Sequence, residues 1–161
     1  MKKLKDPAEG LARFLPLVET LGRKLGPILF QLPPNWKADP QRLEAFLEAL
    51  PPRRRYAFEL RDASWHTAAV ESVLARWNAA FCMFDIAGFQ SPEAITADFT
   101  YVRLHGPGGK YQGSYSSDAL RARARWIARR RRELRAVFVY FDNDQSAYAA
   151  ENAQELKALV E

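Results

Sequence analysis

The stretch Tyr101-Val102-Arg103-Leu104-His105-Gly106 begins with the aromatic and β-branched residues of a strand and ends in charge. Phe58-Glu59-Leu60-Arg61 and Val139-Tyr140-Phe141-Asp142-Asn143-Asp144 repeat the pattern. Alternate residues of a strand face the same side, so Glu59 shares a face with Arg61, and Arg103 with His105. Charged pairs are costly inside a sheet unless they meet partners or a ligand. In parallel α/β proteins the carboxyl ends of strands are where sites are built. A site is therefore expected at these three strand ends.

Working outward, helical and strand patterns alternate. Leu11, Phe14, Leu15, Val18, Leu21 and Leu25 recur at helical spacing until Gly26-Pro27. Ile28 to Leu32 reads as a strand, and Asp39-Pro40 as the capped start of a helix carrying Leu43, Phe46, Leu47 and Leu50. Tyr56 to Arg61 is a strand, 66–78 a helix, and Ala80 to Ile86 a strand closing at Asp85. Gly88 to Asp98 reads as a loop with one helical turn. Phe99 to Leu104 is a strand, and Gly106-Pro107-Gly108-Gly109 opens a loop reaching Tyr115. Ser116 or Ser117 caps a long helix, Ala136 to Phe141 is the last strand, and 147–160 the last helix. Five short apolar strands alternating with helices predict an α/β fold with a parallel sheet and right-handed crossovers. An open doubly wound sheet and part of a (β/α)8 barrel both fit. No GxGxxG or GxxxxGK[ST] supports the open sheet or names a cofactor, and Gly106 to Lys110 is spoiled as a P-loop by its proline.

A chain of 161 residues with 48% hydrophobic composition is expected to form one domain spanning 1–161. The net charge of +5 suits an anionic ligand or nucleic acid. Eight arginines between Arg121 and Arg135 concentrate that excess, and the plain reading is a solvated outer helix face. Cys82, the only cysteine, lies in the apolar run Phe81-Cys82-Met83-Phe84 and reads as a buried thiol. A lone cysteine suits a reducing cytoplasm, and no apolar window is long enough to span a membrane. Met1-Lys2-Lys3-Leu4-Lys5 resembles a signal-peptide head, but no apolar stretch follows.

FELRDASW (58–65), YVRLHG (101–106), the Tyr111, Gly113 and Tyr115 spacing, VYFDND (139–144) and FQLPPNW (30–36) together resemble the DUF72, or YecE-like, family. The resemblance runs from about Asp6 to the C-terminus. It implies a TIM-type barrel whose biochemical function is unsettled. The family's N-terminal blocks have no counterpart, so the resemblance implies strands four to eight only, a partial barrel with outer helices. Such barrels usually take about 250 residues. The expectation is a truncated product, a start placed too late, or a half that closes with a second copy or another chain through the exposed edges of strands four and eight. Two departures stand out: His66 follows Trp65 where an aromatic is common, and Asp142 stands where Asn is common.

Barrel geometry brings alternate residues inward, so Gln31, Glu59, Arg61, Asp85, Arg103, His105 and Asn143 are expected at one end. Glu59, Asp85 and His105 are the candidate proton movers. Arg61 and Arg103 are donors for a carboxylate or phosphate. Gln31 and Asn143 complete the polar lining, and Tyr111 and Tyr115 can stack on a ring or sugar. Each residue also has a structural reading: a Glu59 ion pair with Arg61 or Arg103, His105 bonding its loop, Asp85 capping a turn, Trp65 as packing, His66 as a surface residue. No HxH or HExxH occurs, and the nearby arginines argue against a metal at Glu59, Asp85, His105 and Asp144. The expected function is binding or transforming a small anionic or sugar-like ligand. The alternatives are a nucleic-acid-binding or -processing barrel and a fragment with no activity of its own. Arginine and glutamate at a barrel mouth fit enzymes and plain binders alike.

Overall fold

The computed structural model describes residues 4–161, which fall into two compact units meeting within one strand, between Phe81 and Cys82. The first unit holds α1 (Pro7–Glu19), β1 (Ile28–Leu32), α2 (Pro40–Glu48), β2 (Tyr56–Leu60), α3 (Ala68–Arg76) and the start of β3 (Ala80–Ile86). The second holds the rest of β3, β4 (Phe89–Gln90), β5 (Phe99–Leu104), α4 (Ser117–Arg130), β6 (Ala136–Phe141) and α5 (Tyr148–Val160).

Local chemistry starts these helices where the sequence places them. Asp39 accepts from the Arg42 amide with Pro40 in the first turn of α2, Thr67 accepts from Val70, and Ser116 from Ala119. At its C-terminal end α1 departs from its sequence reading. The apolar spacing predicts a helix running on through Leu21 to Leu25, but it ends at Glu19 and a 3-10 turn follows over Gly22–Lys24. Gly22 sits at φ +52, the left-handed conformation that terminates helices at little cost for glycine. Leu21 is accordingly exposed.

In the first unit, β1 and β2 run parallel, with Phe30 opposite Phe58 and Gln31 opposite Glu59. Phe58 also lies opposite Phe81 at the start of β3. The Phe30 and Phe58 rings stack at 5.3 Å, and Phe46 of α2 meets Phe30 edge-on at 4.9 Å. This aromatic layer joins sheet to helix. A cavity of about 730 Å³ lined by Leu11, Phe14, Leu29, Phe30 and Phe46 lies beside it and contains none of the residues expected to form a site.

In the second unit, β3 pairs in parallel with β5, and β5 with β6. The ladder sorts β5 and β6 into two faces. Thr100, Val102 and Leu104 stand beside Val137, Val139 and Phe141; Tyr101 and Arg103 stand beside Phe138 and Tyr140. The segment read as a loop with a helical turn instead begins with β4, which pairs antiparallel with the end of β3. Ala87 and Gly88 between them have φ of +50 and +83, and positive φ at both turn residues matches the twist of a tight hairpin. Among the described residues, no helix is long and apolar enough to cross a membrane.

Phe58 is fully buried in the aromatic layer, whereas Phe14 on α1 is 39% exposed. Phe58→Ala is predicted to cost about 3–5 kcal/mol. Phe14→Ala is predicted to cost about 0.5 kcal/mol or less. Urea denaturation of both variants checks the contrast, and equal losses would contradict this placement of the core.

Candidate functional site at the strand ends

Each unit gathers polar residues where its parallel strands finish. In the first, Glu59 is completely buried at the end of β2. A buried carboxylate is expensive unless compensated. Arg61, two residues on and on the same face, donates from Nε to Glu59 Oε1 and from Nη2 to Gln31 Oε1 at 3.3 Å. The three residues expected together from this unit are thus in one hydrogen-bonded group.

The chain then turns sharply. Asp62 accepts from the Ser64 amide at 3.0 Å and lies 3.3 Å from Lys37 Nζ. The Ser64 amide and hydroxyl, with Lys37, hold its carboxyl below the usual range. Trp65 is fully buried and donates from its indole to the Trp36 carbonyl at 2.7 Å, which is the packing role. His66 corrects the reading of a surface residue: it is half-buried, Nε2 is 2.8 Å from the Leu60 carbonyl, and its ring meets Phe81 edge-on. A carbonyl can only accept, so Nε2 carries the proton.

In the second unit, Arg103 Nη2 is 2.6 Å from Asp142 Oδ2, and His105 Nδ1 is 3.1 Å from the same oxygen. The ladder produces this meeting. Arg103 pairs with Tyr140, and the Asp142 amide donates to the Leu104 carbonyl at 2.8 Å, which carries Asp142 level with His105. Tyr101 and Tyr140 stack at 4.8 Å beneath the group, on the same face. Asp142 was not among the residues expected to form the site. The signal for it was present in its alternation with Tyr140.

Asp85 and Asn143 do not join this group. Expecting them on one face with Arg103 and His105 is corrected by register. Asp85 pairs with Leu104, so it lies on the opposite face of the sheet from Arg103, which pairs with Phe84. Asp85 Oδ1 accepts from the Tyr115 hydroxyl and, at 3.0 Å, from the His105 amide. With Tyr115, Leu104 and, from α4, Leu120, Arg123 and Trp126, it lines a cavity of about 340 Å³. Asn143 is fully buried and donates to the Gly113 carbonyl at 2.8 Å and to Asn152 Oδ1 at 2.9 Å. Asn152 on α5 also accepts from the Tyr115 amide and donates to Ser114 Oγ. Sequence reasoning missed Asn152, whose mark was an amide four residues before buried Leu156 on the same helix face.

These bonds hold the loop from Gly106 to Tyr115. Tyr115 is buried, its ring against Phe141 and its hydroxyl between Asp85 and the Gly106 amide. Gly106 has φ +110, and a Cβ there would lie 2.3 Å from the Gln112 carbonyl oxygen. Tyr111 differs from Tyr115. It is 38% exposed, its φ is +63, its amide donates to the His105 carbonyl at 2.7 Å, and its ring meets the His105 ring edge-on at 5.4 Å. Positive φ is unfavourable for a tyrosine, so the loop holds this side chain over His105 against local preference. Lys110 Nζ lies 5.4 Å from the Tyr111 ring centre. Among the described residues, no three His, Cys, Asp or Glu side chains converge to hold a metal ion.

Burial, and then the hydrogen bond to Asp85, raise the Tyr115 hydroxyl above the ordinary phenol range. Its folded value exceeds its unfolded value. Its contribution to stability is therefore complete below about pH 10 and is lost as pH rises from there through the folded value. Tyr101 and Tyr56 are raised as well, mainly by burial. Tyr115→Phe is predicted to lower the melting temperature at neutral pH and to reduce, without abolishing, its decline above about pH 10. Calorimetric melting across that range checks this, and an unchanged alkaline slope would contradict it.

The geometry can be set beside known proteins. A DUF72 family protein from Thermotoga maritima superimposes with a TM-score of 0.89 at 25% identity, covering 99% of this chain and 67% of that one. A DUF72 family protein from Enterococcus faecalis gives a TM-score of 0.79 at 18% identity, covering 93% of this chain and 63% of that one. A second structure of an Enterococcus faecalis DUF72 family protein gives 0.76 at 20% identity, covering 93% and 66%. The last two likenesses are of fold alone. No curated protein matches the chain. The model of the family described as "Protein of unknown function DUF72" matches residues 1–161, and the chain belongs to that family.

Proposed function

We propose that the chain binds a small anionic, hydroxyl-bearing ligand, such as a sugar acid or sugar phosphate, at the carboxyl ends of β5 and β6. The observation that carries this reading is the meeting of Arg103, His105 and Asp142 on the face of the sheet away from the Asp85 network. Asp142 fixes the Arg103 guanidinium by one of its donors, and the planar fork of an arginine suits a carboxylate or phosphate. His105 is fully buried with its Nδ1 3.1 Å from Asp142 Oδ2, so it is a positioning residue that holds this carboxylate beside Arg103. The exposed ring of Tyr111 supplies an apolar face on which a sugar can lie.

The other residues expected to act divide by what they touch. Asp85, Tyr115 and Asn143 are positioning residues that shape the loop carrying Tyr111. In the first unit Arg61 neutralises buried Glu59 and reaches Gln31, a group able to present an amide and a guanidinium to the same class of ligand.

Arg103→Ala is predicted to weaken binding roughly 10- to 100-fold, because hydrogen bonds to charged groups are worth about 1.5–3 kcal/mol. The measurement is calorimetric titration with a panel of sugar acids, sugar phosphates and their neutral parent sugars, with a thermal melt confirming that the variant is folded. Binding of acids but not of parent sugars, lost in Arg103→Ala, supports the reading. A folded wild-type protein that binds no member of the panel, or an Arg103→Ala variant that binds as well as wild type, overturns it.

A further inference from the structure

The first unit contains a second polar concavity, at the opposite ends of its strands. The turn Pro51 to Arg55 precedes β2, and the segment Glu19 to Gly26 precedes β1. Between them lies a cavity of about 590 Å³ whose charged lining is Arg23, Arg53, Arg54, Arg55 and Glu19. The single carboxylate, Glu19, is engaged by Arg54 at 3.1 Å, and four arginines against one carboxylate make the lining net positive. The two glycines in the wall, Gly22 and Gly26, bring no side chains into the space.

The arginines stand on a braced turn. Pro51 and Pro52 restrict the backbone before them. The Tyr56 hydroxyl donates to the Pro51 carbonyl at 2.8 Å, and the Arg55 carbonyl accepts from the Ile28 amide at 2.8 Å. Arg53 is held at φ +67, where glycine or asparagine would sit more easily. Backbone strain carried by a cationic residue at the mouth of a cationic cavity is of the kind found where a ligand is clamped. The cavity has no aromatic lining, so it offers nothing on which a base could stack.

We infer that this concavity is a site for a compact oligophosphate anion, one bearing at least two adjacent phosphate groups, held by Arg23 and Arg53 with Arg54 fixed by Glu19. A chain of phosphates offers more acceptor oxygens to several guanidinium groups than a lone phosphate does. The site is separate from the strand-end reading above, and neither depends on the other.

Inorganic tripolyphosphate titrated calorimetrically into the full chain at low salt, with inorganic phosphate alongside, tests this. Wild type is expected to bind tripolyphosphate at least tenfold more tightly than phosphate. Arg53→Gly removes one guanidinium and relieves the positive φ, so this variant is expected to melt no lower than wild type. Arg53→Gly and Arg23→Ala are each expected to weaken tripolyphosphate binding by about tenfold or more, the scale of one hydrogen bond to a charged group. Arg121→Ala, an exposed arginine on α4, is expected to leave tripolyphosphate binding unchanged, which separates a compact site from general positive charge. Equal affinity for tripolyphosphate in wild type and both variants would overturn the inference. So would binding of a duplex oligonucleotide with none of tripolyphosphate, which would indicate an extended charged surface in place of a compact site.

Discussion

The parallel register between β5 and β6 is the constraint on which the chemistry of the second unit depends. With Arg103 opposite Tyr140, Asp142 arrives level with His105 and within reach of both cationic side chains. A slip of one residue would exchange the faces of a strand. It would send Arg103 toward the apolar side and bring Val102 and Leu104 out. The alternation of β5 makes that slip costly, because Val102 and Leu104 are buried while Arg103 keeps partial access to water. The hydrophobic pattern that folds the strand therefore also aims its charged residues.

The two faces of β5 serve different ends. On one, Arg103 and His105 share a carboxylate and stand beside an exposed tyrosine. On the other, Asp85, Tyr115, Asn143 and Asn152 satisfy one another and the loop backbone. A buried hydrogen-bonded network rigidifies what it touches. Here it touches the loop that carries Tyr111 at positive φ. Rigidity on the helix side thus supports a precise side-chain placement on the other.

Much of this was legible in the sequence. The five strands β1, β2, β3, β5 and β6, the cap at Asp39 and a serine cap at Ser116 or Ser117 followed from periodicity and local chemistry. The pairing of Glu59 with Arg61 followed from their spacing, and so did the common face of Arg103 and His105. What escaped depended on geometry beyond a few residues. The β3–β4 hairpin turns on Ala87, which carries no turn signal, adopting positive φ. The end of α1 is set by Gly22 against an apolar rhythm that continues to Leu25. Asp85 and Asn143 were grouped with Arg103 because each closes a strand in polar residues. Strand-end position alone does not reveal the face, which needs the partner strand's register. Asn152 became visible only when the loop and α5 were seen to meet.

The central claim is that ligand binding belongs to the Arg103 face and loop architecture to the Asp85 face. A crystal structure of the protein with the tightest-binding member of the sugar-acid and sugar-phosphate panel tests it most directly. The account predicts the ligand's anionic group on the Arg103 guanidinium, its ring against Tyr111, and the Asp85–Tyr115 bond intact. A ligand seated in the cavity beside Asp85 and α4, with Arg103 untouched, would contradict it.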